Sequence, residues 1–244
     1  MKTILFPELI RLANDSFAEY ENRCLSSLIS IKLSDLLMSD SYILRTEQER
    51  LVSSLINQLI DEYFSYIQQI IFEEFCRTMV FDFCKMKDYA TRSSLHGIDL
   101  ELDKNGLHYL IRVNGDTNWG NSSQIKRMAD NFKKAQRILR TSNAKVNIKA
   151  VNGCCYGTEN KPDKGDYQKL CGQEFWEFIS GNNQLFVEII EPLGYRARER
   201  NQEFTEEYGR LINLFTQEFL RDFCVEGRIN WEKLVRFNSE KKTT

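Results

Sequence analysis

The chain has 244 residues, a formal net charge of −2 at pH 7 and 42% hydrophobic residues, as expected of a globular protein large enough for a sizeable core. It contains no run of 18 apolar residues, and no apolar stretch with a small-residue cleavage site follows Met1, so we expect neither a membrane span nor a signal peptide. Seven scattered cysteines without a Cys-x-x-Cys pair favour reduced core thiols in a cytoplasmic protein, and two histidines are too few for a histidine-rich metal site.

Helical periodicity dominates the first part of the chain. An apolar stripe at three- and four-residue steps runs from Leu51 to Phe75 and predicts one long helix that belongs to the core. We expect residues 1–90 to form a helical N-terminal region packed on a core made by residues 91–244, as one compact domain overall.

The apolar period then changes to that of strands. Residues 98–103 alternate strictly between apolar and acidic side chains, and Asn105-Gly106 is a strong hairpin signal before a second strand over residues 107–114. A third strand is predicted over residues 146–151, continuing to Gly153.

Further helices are predicted around and after this third strand. An amphipathic helix precedes it, running from Ile125 to Arg140 and closed by Asn143. A polar loop over residues 158–166 leads to a short helix over residues 173–180, which Gly181 stops. The tail is predicted to be helical from Arg196 to Cys224, with four apolar residues facing inward: Leu211, Leu214, Phe215 and Phe219.

Basic residues are concentrated in one block of an otherwise nearly neutral chain. Residues 119–170 carry 11 basic and 4 acidic side chains, a net charge of +7. Such a block suits a patch that faces phosphates, and it equally suits the solvated face of a Lys/Arg-rich helix.

The first strand of the hairpin carries three carboxylates. Asp99, Glu101 and Asp103 share one face because strand side chains alternate. One interpretation is the solvated face of an edge hairpin, and the other is a cation site in which carboxylates gather Mg²⁺. His108, in the second strand, is expected to be an ordinary strand side chain.

Several segments between Gly97 and Phe237 carry a resemblance to a known family. They are Gly97-Ile98-Asp99-Leu100-Glu101, Asn118-Trp119-Gly120-Asn121-Ser122-Ser123-Gln124, Asn152-Gly153-Cys154-Cys155-Tyr156-Gly157, and Lys164-Gly165-Asp166-Tyr167 with the nearby Cys171-Gly172-Gln173. With them the chain resembles a branch of type II restriction endonucleases of the PD-(D/E)XK superfamily.

The resemblance implies a restriction-endonuclease-like α/β fold, a mixed sheet flanked by helices with a helical N-terminal extension. It implies Mg²⁺-dependent, site-specific cleavage of double-stranded DNA, with Mn²⁺ as a substitute ion, and Asp99 and Glu101 as metal ligands. The implied partners are duplex DNA, a second copy of the chain in a homodimer that matches a palindromic site, and a cognate DNA methyltransferase as genetic partner.

The sequence departs from the family pattern at the catalytic lysine. Asn114 stands at the lysine position, and Arg112 stands where a Glu or Asp is frequent. Asn has no cation to offer, and Arg cannot ligate Mg²⁺. Lys126 or Lys149 is a candidate replacement; otherwise the chain is an inactive descendant that still binds DNA, or a variant inactivated by design. On this reasoning Asn114→Lys, with or without Gly115→Ser and Asp116→Gly for the loop geometry, is expected to raise or restore cutting.

DNA contacts are expected from the loop before the basic helix and from the helix itself. The residues are Trp119, Asn121, Ser123, Gln124, Lys126, Arg127, Lys133, Lys134 and Arg137. An alternative from another class is a structural or interaction protein in which the acidic hairpin is merely solvated.

Overall fold

The fold is described from a computed structural model, over residues 6–38, 51–87, 90–142, 147–189 and 201–241. Its helices are α1 (Phe6–Ser30), α2 (Leu33–Leu36), α3 (Val52–Lys87), α4 (Ser122–Ser142), α5 (Gln173–Ser180), α6 (Leu185–Glu188), α7 (Asn201–Phe223) and α8 (Trp231–Ser239). Its strands are β1 (Ala90–Arg92), β2 (Leu100–Lys104), β3 (Leu107–Asn114), β4 (Ile148–Cys154), β5 (Gln168–Cys171), β6 (Cys224–Val225) and β7 (Arg228–Ile229).

The chain divides into two compact units. The first comprises Met1–Tyr20 and Phe72–Arg196, and the second comprises Glu21–Ile71 and Ala197–Thr244. The chain passes from one unit to the other inside α1 and inside α3. The division expected from the sequence, with a boundary at residue 90 inside one compact domain, stays a prediction.

A mixed five-stranded sheet in the order β1-β2-β3-β4-β5 organises the first unit, which confirms the predicted α/β class. The strands β1, β2 and β3 are antiparallel neighbours, whereas β4 and β5 run parallel to β3. The predicted hairpin is present, and Asn105 and Gly106 adopt φ of 55° and 74°. Positive φ at both central residues is what a tight two-residue hairpin turn requires.

Each face of the sheet is covered by helices. One face, which includes Leu102, Val113 and Val151, packs with side chains of α3 and α5 such as Val80 and Ile179. At Gly153 of β4 an added Cβ would lie 2.1 Å from Phe175 Cε2, so a glycine is needed for α5 to pack this closely.

The other face packs beneath the amphipathic helix α4. Leu110 and Ala150 of the sheet meet Met128 and Phe132 of the helix. The helix predicted from Ile125 to Arg140 is therefore confirmed, one turn longer at its start. Its predicted end at Asn143 and the predicted start of the third strand at Val146 lie outside the described residues.

The second unit is built mainly from α7, the N-terminal part of α3 and the C-terminal elements. Phe64 and Phe204 pack with ring centroids 5.1 Å apart, and the Tyr208 hydroxyl donates to Asp61. Leu211, Phe215 and Phe219 are buried as predicted, but the prediction for Leu214 was wrong, because 38% of it is exposed. The first residues of the predicted tail helix, 196–200, lie outside the described ranges.

The remaining sequence predictions concern thiols and membranes. All seven cysteines are free, and six of them are buried, in agreement with the predicted core thiols. Within the described ranges, no helix combines the length and the apolar character that crossing a bilayer requires.

Candidate functional site

Asp99 lies directly before β2, and its N–H donates to the Ile111 carbonyl of β3 at 2.8 Å. Its carboxylate therefore faces β3. Oδ1 accepts from Arg112 Nη1 at 2.9 Å, and Oδ2 accepts from the Val113 N–H at 2.7 Å. The Asp99 side chain is 14% exposed and that of Arg112 is 27% exposed. Each carboxylate oxygen of Asp99 thus has a protein donor.

Glu101 and Asp103 follow on the same face of β2, as the alternation predicted, but His108 binds both of them. Glu101 Oε2 lies 3.0 Å from His108 Nε2, and Asp103 Oδ1 lies 2.8 Å from His108 Nδ1. The second oxygen of Glu101 accepts from the Ser93 hydroxyl at 2.6 Å. His108 therefore bridges two carboxylates, and its predicted role as an ordinary rather than a catalytic strand side chain stays a prediction. Glu101 and Asp99 belong to two separate groups of contacts.

Asn114, the last residue of β3, is buried. It is 1% exposed, and its Nδ2 donates to Asn152 Oδ1 of β4 at 2.7 Å. In the opposite amide orientation the Asn114 oxygen accepts from the Trp119 indole at 3.2 Å. Asn114, which we predicted to stand at the family's lysine position, thus forms a buried amide pair with Asn152.

Lys169 of β5 is the lysine that the register brings to this row, and sequence reasoning missed it. Asn152 is the register partner of Arg112 on one side and of Lys169 on the other. Register partners in parallel strands point to the same side of the sheet. Arg112, Asn152 and Lys169 therefore form a polar row across three strands, and we call it the cationic row.

The proposed replacement lysines lie elsewhere. Lys149 pairs in register with Tyr109 and alternates with Ala150, so it lies on the opposite face of β4 from Asn152. Lys126 is exposed in the first turn of α4. Lys126 and Lys149 as replacements stay predictions, and the register supports neither.

The ammonium of Lys169 contacts both the loop after β3 and the loop between β4 and β5. It donates to the Thr117 carbonyl at 2.9 Å and lies 3.3 Å from Glu159 Oε2. Glu159 also accepts from the Lys161 N–H and lies 3.1 Å from Lys164 Nζ. These donors, led by the Lys161 N–H, lower the pKa of Glu159 to about 2.

Glu73 and Tyr156 lie close to the loop that follows β3, which contains Gly115 and Asp116. Burial raises the pKa of Tyr156 to about 12, and the nearby Asp116 carboxylate adds to the shift. Glu73 of α3 is close to this loop, since a Cβ on Gly115 would lie 3.3 Å from its Cγ. Glu73 is itself 3.4 Å from Arg77 Nη2.

Four of the predicted DNA contacts have a local structural role. Asn121 caps α4, because its side-chain oxygen accepts from the Ser123 and Gln124 N–H groups, each at 3.1 Å. Gln124 returns the bond by accepting from the Asn121 N–H at 2.9 Å, which completes a capping box. Trp119 packs against the core beneath α4.

The basic residues of α4 form a continuous exposed face, which we call the basic face. It contains Lys126, Arg127, Lys133, Lys134, Arg137 and Arg140, all exposed. At 100° per residue they lie opposite the buried Met128 and Phe132. Lys133 lies 2.7 Å from Asp166, whose carboxylate raises the lysine pKa.

The basic face and Asp99 belong to the same part of the molecule. Gly97, two residues before Asp99, has a φ of +78° and approaches α4 so closely that an added Cβ would lie 2.2 Å from Asn131 Nδ2. The segment that carries Asp99 therefore packs directly against the basic helix.

A family model described as Type II restriction endonuclease EcoO109I matches residues 7–201 of the chain, well over half of its length. No curated protein matches the chain.

Type II restriction endonucleases generally use divalent metal ions. The described residues do not fit such an ion, because no group of three or more His, Cys, Asp or Glu side chains among them is arranged so that it could hold a metal. Asp99 is bound by Arg112, and Glu101 is bound by His108 and Ser93. The guanidinium of Arg112 beside Asp99 repels Mg²⁺ and offers no ligand atom.

Proposed function

The chain belongs to the family of type II restriction endonuclease EcoO109I, whose activity is site-specific cleavage of DNA, and we propose that this member binds duplex DNA without metal-dependent hydrolysis at Asp99. The observation that carries this proposal is the ion pair between Arg112 and Asp99, with its 2.9 Å contact. The proposal makes the chain a DNA-binding pseudo-nuclease.

The charges at the site support loss of hydrolysis. In the family pattern that the chain resembles, an acid and a lysine occupy the positions of Arg112 and Asn114. The acid that would share a metal ion with Asp99 is thus replaced by a group that stays positively charged at all physiological pH values. The cation that would stabilise the transition-state charge is replaced by a neutral, buried amide, which supplies no comparable electrostatic stabilisation.

The basic face supports retention of DNA binding. Its side chains project from one helix at the most basic segment of the chain, beside the Asp99 segment. Contacts of lysine and arginine with phosphates supply most sequence-independent affinity for duplex DNA. The intervals between Lys126, Lys133 and Arg137 are four or seven residues, so their side chains form a row along the helix.

The family match favours a second candidate function, Mg²⁺-dependent site-specific cleavage with Mn²⁺ as a substitute. Asp99 is present, and Lys169 lies in the row next to Asn152. In either case we propose a homodimer in the cytoplasm that matches a palindromic site, with a DNA methyltransferase as the genetic partner of an active enzyme.

Digestion and binding assays on the same preparations test the proposal. The intact chain and Asp99→Asn are each incubated with long, sequence-diverse DNA in Mg²⁺ and in Mn²⁺, and duplex affinity is measured as salt rises. We expect no discrete fragments from either protein and a steep fall of affinity with salt. Discrete fragments from the intact chain that Asp99→Asn abolishes would establish the active enzyme instead. Absence of duplex binding would favour a structural or interaction protein.

A further inference from the structure

The guanidinium of Arg112 has N–H donors beyond the one that binds Asp99. Among the residues that the structure describes, Asp99 is its one ion-pair partner, through Nη1. Guanidinium carries several N–H donors in a rigid fork that matches the geometry of phosphate oxygens. The Arg112 side chain is 27% exposed, so its remaining donors are within reach of a ligand.

We propose that Arg112 binds a phosphodiester of DNA at the Asp99 site and takes the electrostatic place of a divalent metal ion. The ligand class is a backbone phosphate of duplex DNA, and the inference rests on the proposed function. Its consequence is that tight DNA binding by this chain needs no divalent cation.

The charge of Arg112 can replace that of a bound Mg²⁺. Exchanging a carboxylate for a guanidinium changes the local charge by two units in the positive direction, which equals the charge of Mg²⁺. Two carboxylates without a metal repel a phosphate, whereas Asp99 and Arg112 together are neutral and still offer N–H donors. The substitution that removes a metal ligand therefore also removes the need for the metal in binding.

The cationic row extends this site across the sheet. Lys169 shares Asn152 as a register neighbour with Arg112, and its side chain is 16% exposed. Glu159 offsets part of its charge at 3.3 Å. Two cations thus lie on one face around a buried amide pair, and neither cation offers a metal ligand.

Binding in the absence and presence of a divalent cation tests the inference. The full chain is titrated against a labelled duplex pool of random sequence, in EDTA and in Ca²⁺, over a series of salt concentrations. We expect equal affinity in the two conditions. Arg112→Gln keeps a donor for Asp99 but loses the charge, and should weaken binding about 10- to 100-fold. It should also lower the slope of log affinity against log salt by about 0.9, because one phosphate contact is lost.

Two further substitutions distinguish a phosphate contact from a structural role. Arg112→Lys keeps the charge and should preserve the salt slope. Arg112→Glu restores a carboxylate beside Asp99, and should bind weakly in EDTA and recover in Ca²⁺. Arg210→Glu, an exposed charge reversal on α7 in the other unit, is the matched control and should change neither affinity nor Ca²⁺ response.

Each failure has its own signature. If Ca²⁺ tightens binding of the intact chain about tenfold or more, a metal site is present and the inference is overturned. If Arg112→Gln keeps the affinity and the salt slope of the intact chain, Arg112 does not contact phosphate, while the proposed DNA binding stands. If the intact chain binds no duplex at all, both the proposed function and the inference are overturned.

Discussion

Restoring DNA cleavage should require two substitutions, Arg112→Glu together with Asn114→Lys. The sequence alone pointed to Asn114→Lys, with or without Gly115→Ser and Asp116→Gly for the loop geometry. Arg112 lies two residues before Asn114 on the same strand face and forms the ion pair with Asp99, so we expect the single substitution to be insufficient. The single variant adds a second cation to a site that already contains a guanidinium.

The cost of the single substitution follows from the geometry. Side chains two residues apart on one strand face are separated by about 7 Å, so two positive charges repel by about 2 kcal/mol at an effective dielectric constant of about 20. Asn114 is 1% exposed, and removing its amide leaves Asn152 without that partner, which costs about 1–3 kcal/mol more. We expect Asn114→Lys to be destabilised by about 3–5 kcal/mol and to cleave no DNA.

The double substitution turns the repulsion between positions 112 and 114 into attraction, because Glu at position 112 attracts the new lysine. The same Glu joins Asp99 as a second carboxylate. A divalent ion should then bind and stabilise the fold. At a concentration 100 times the dissociation constant, a ligand contributes about 2.7 kcal/mol, which shifts the melting temperature of a chain of this size by about 5–10 °C.

Thermal unfolding in EDTA, Ca²⁺ and Mg²⁺, followed by digestion of sequence-diverse DNA, measures both consequences. The intact chain and Arg210→Glu should show no response of the melting temperature to Ca²⁺, and the double variant should show one. If Asn114→Lys alone cleaves as well as the double variant, Arg112 is not what prevents hydrolysis. If the double variant is folded by circular dichroism yet shows no response to either ion, the charge argument is refuted.

Three further predictions concern the basic face, the loop and the core. Lys134→Glu with Arg137→Glu should lower the affinity for all duplexes alike and flatten its dependence on salt. Asp166→Asn releases Lys133 from its 2.7 Å ion pair and should raise the affinity. If a filter-binding assay shows unchanged affinities, the basic face is only a solvated helix face. The pKa of Glu159 is lowered to about 2, so the stability that its carboxylate contributes is complete above the ordinary pKa of about 4.5 and should be lost as pH falls from about 4.5 towards 2. Glu159→Gln should abolish this loss in unfolding curves measured against pH. Gly153→Ala should cost about 1–3 kcal/mol in urea unfolding because of Phe175, while Gly209→Ala on α7, with no atom within 4 Å of the added Cβ, should be neutral or stabilising.

The elements predicted well from the sequence are those that local signals determine. The β2–β3 hairpin follows from alternation and from Asn105-Gly106, and α5 follows from an amphipathic run that ends at Gly181, whose φ is 73°. The strand β5 was missed because Gln168–Cys171 is four residues long and mixes polar with apolar side chains, so pairing with β4 determines its structure. The same dependence hid Lys169, since the register of parallel strands is not encoded by a turn.

The chemistry of the acidic face, in contrast, was within reach of the sequence. A two-residue turn at Asn105-Gly106 fixes Asp103 opposite His108, and counting back along both strands from that pair brings Asp99 close to Arg112, with which it forms an ion pair. Opposite charges at such positions attract across the strands. The hairpin therefore compensates its own carboxylates with its second strand: Arg112 binds Asp99, and His108 bridges Glu101 and Asp103. Each of the three carboxylates thus has a partner on the opposite strand, which supports the proposal that this acidic face holds no metal ion.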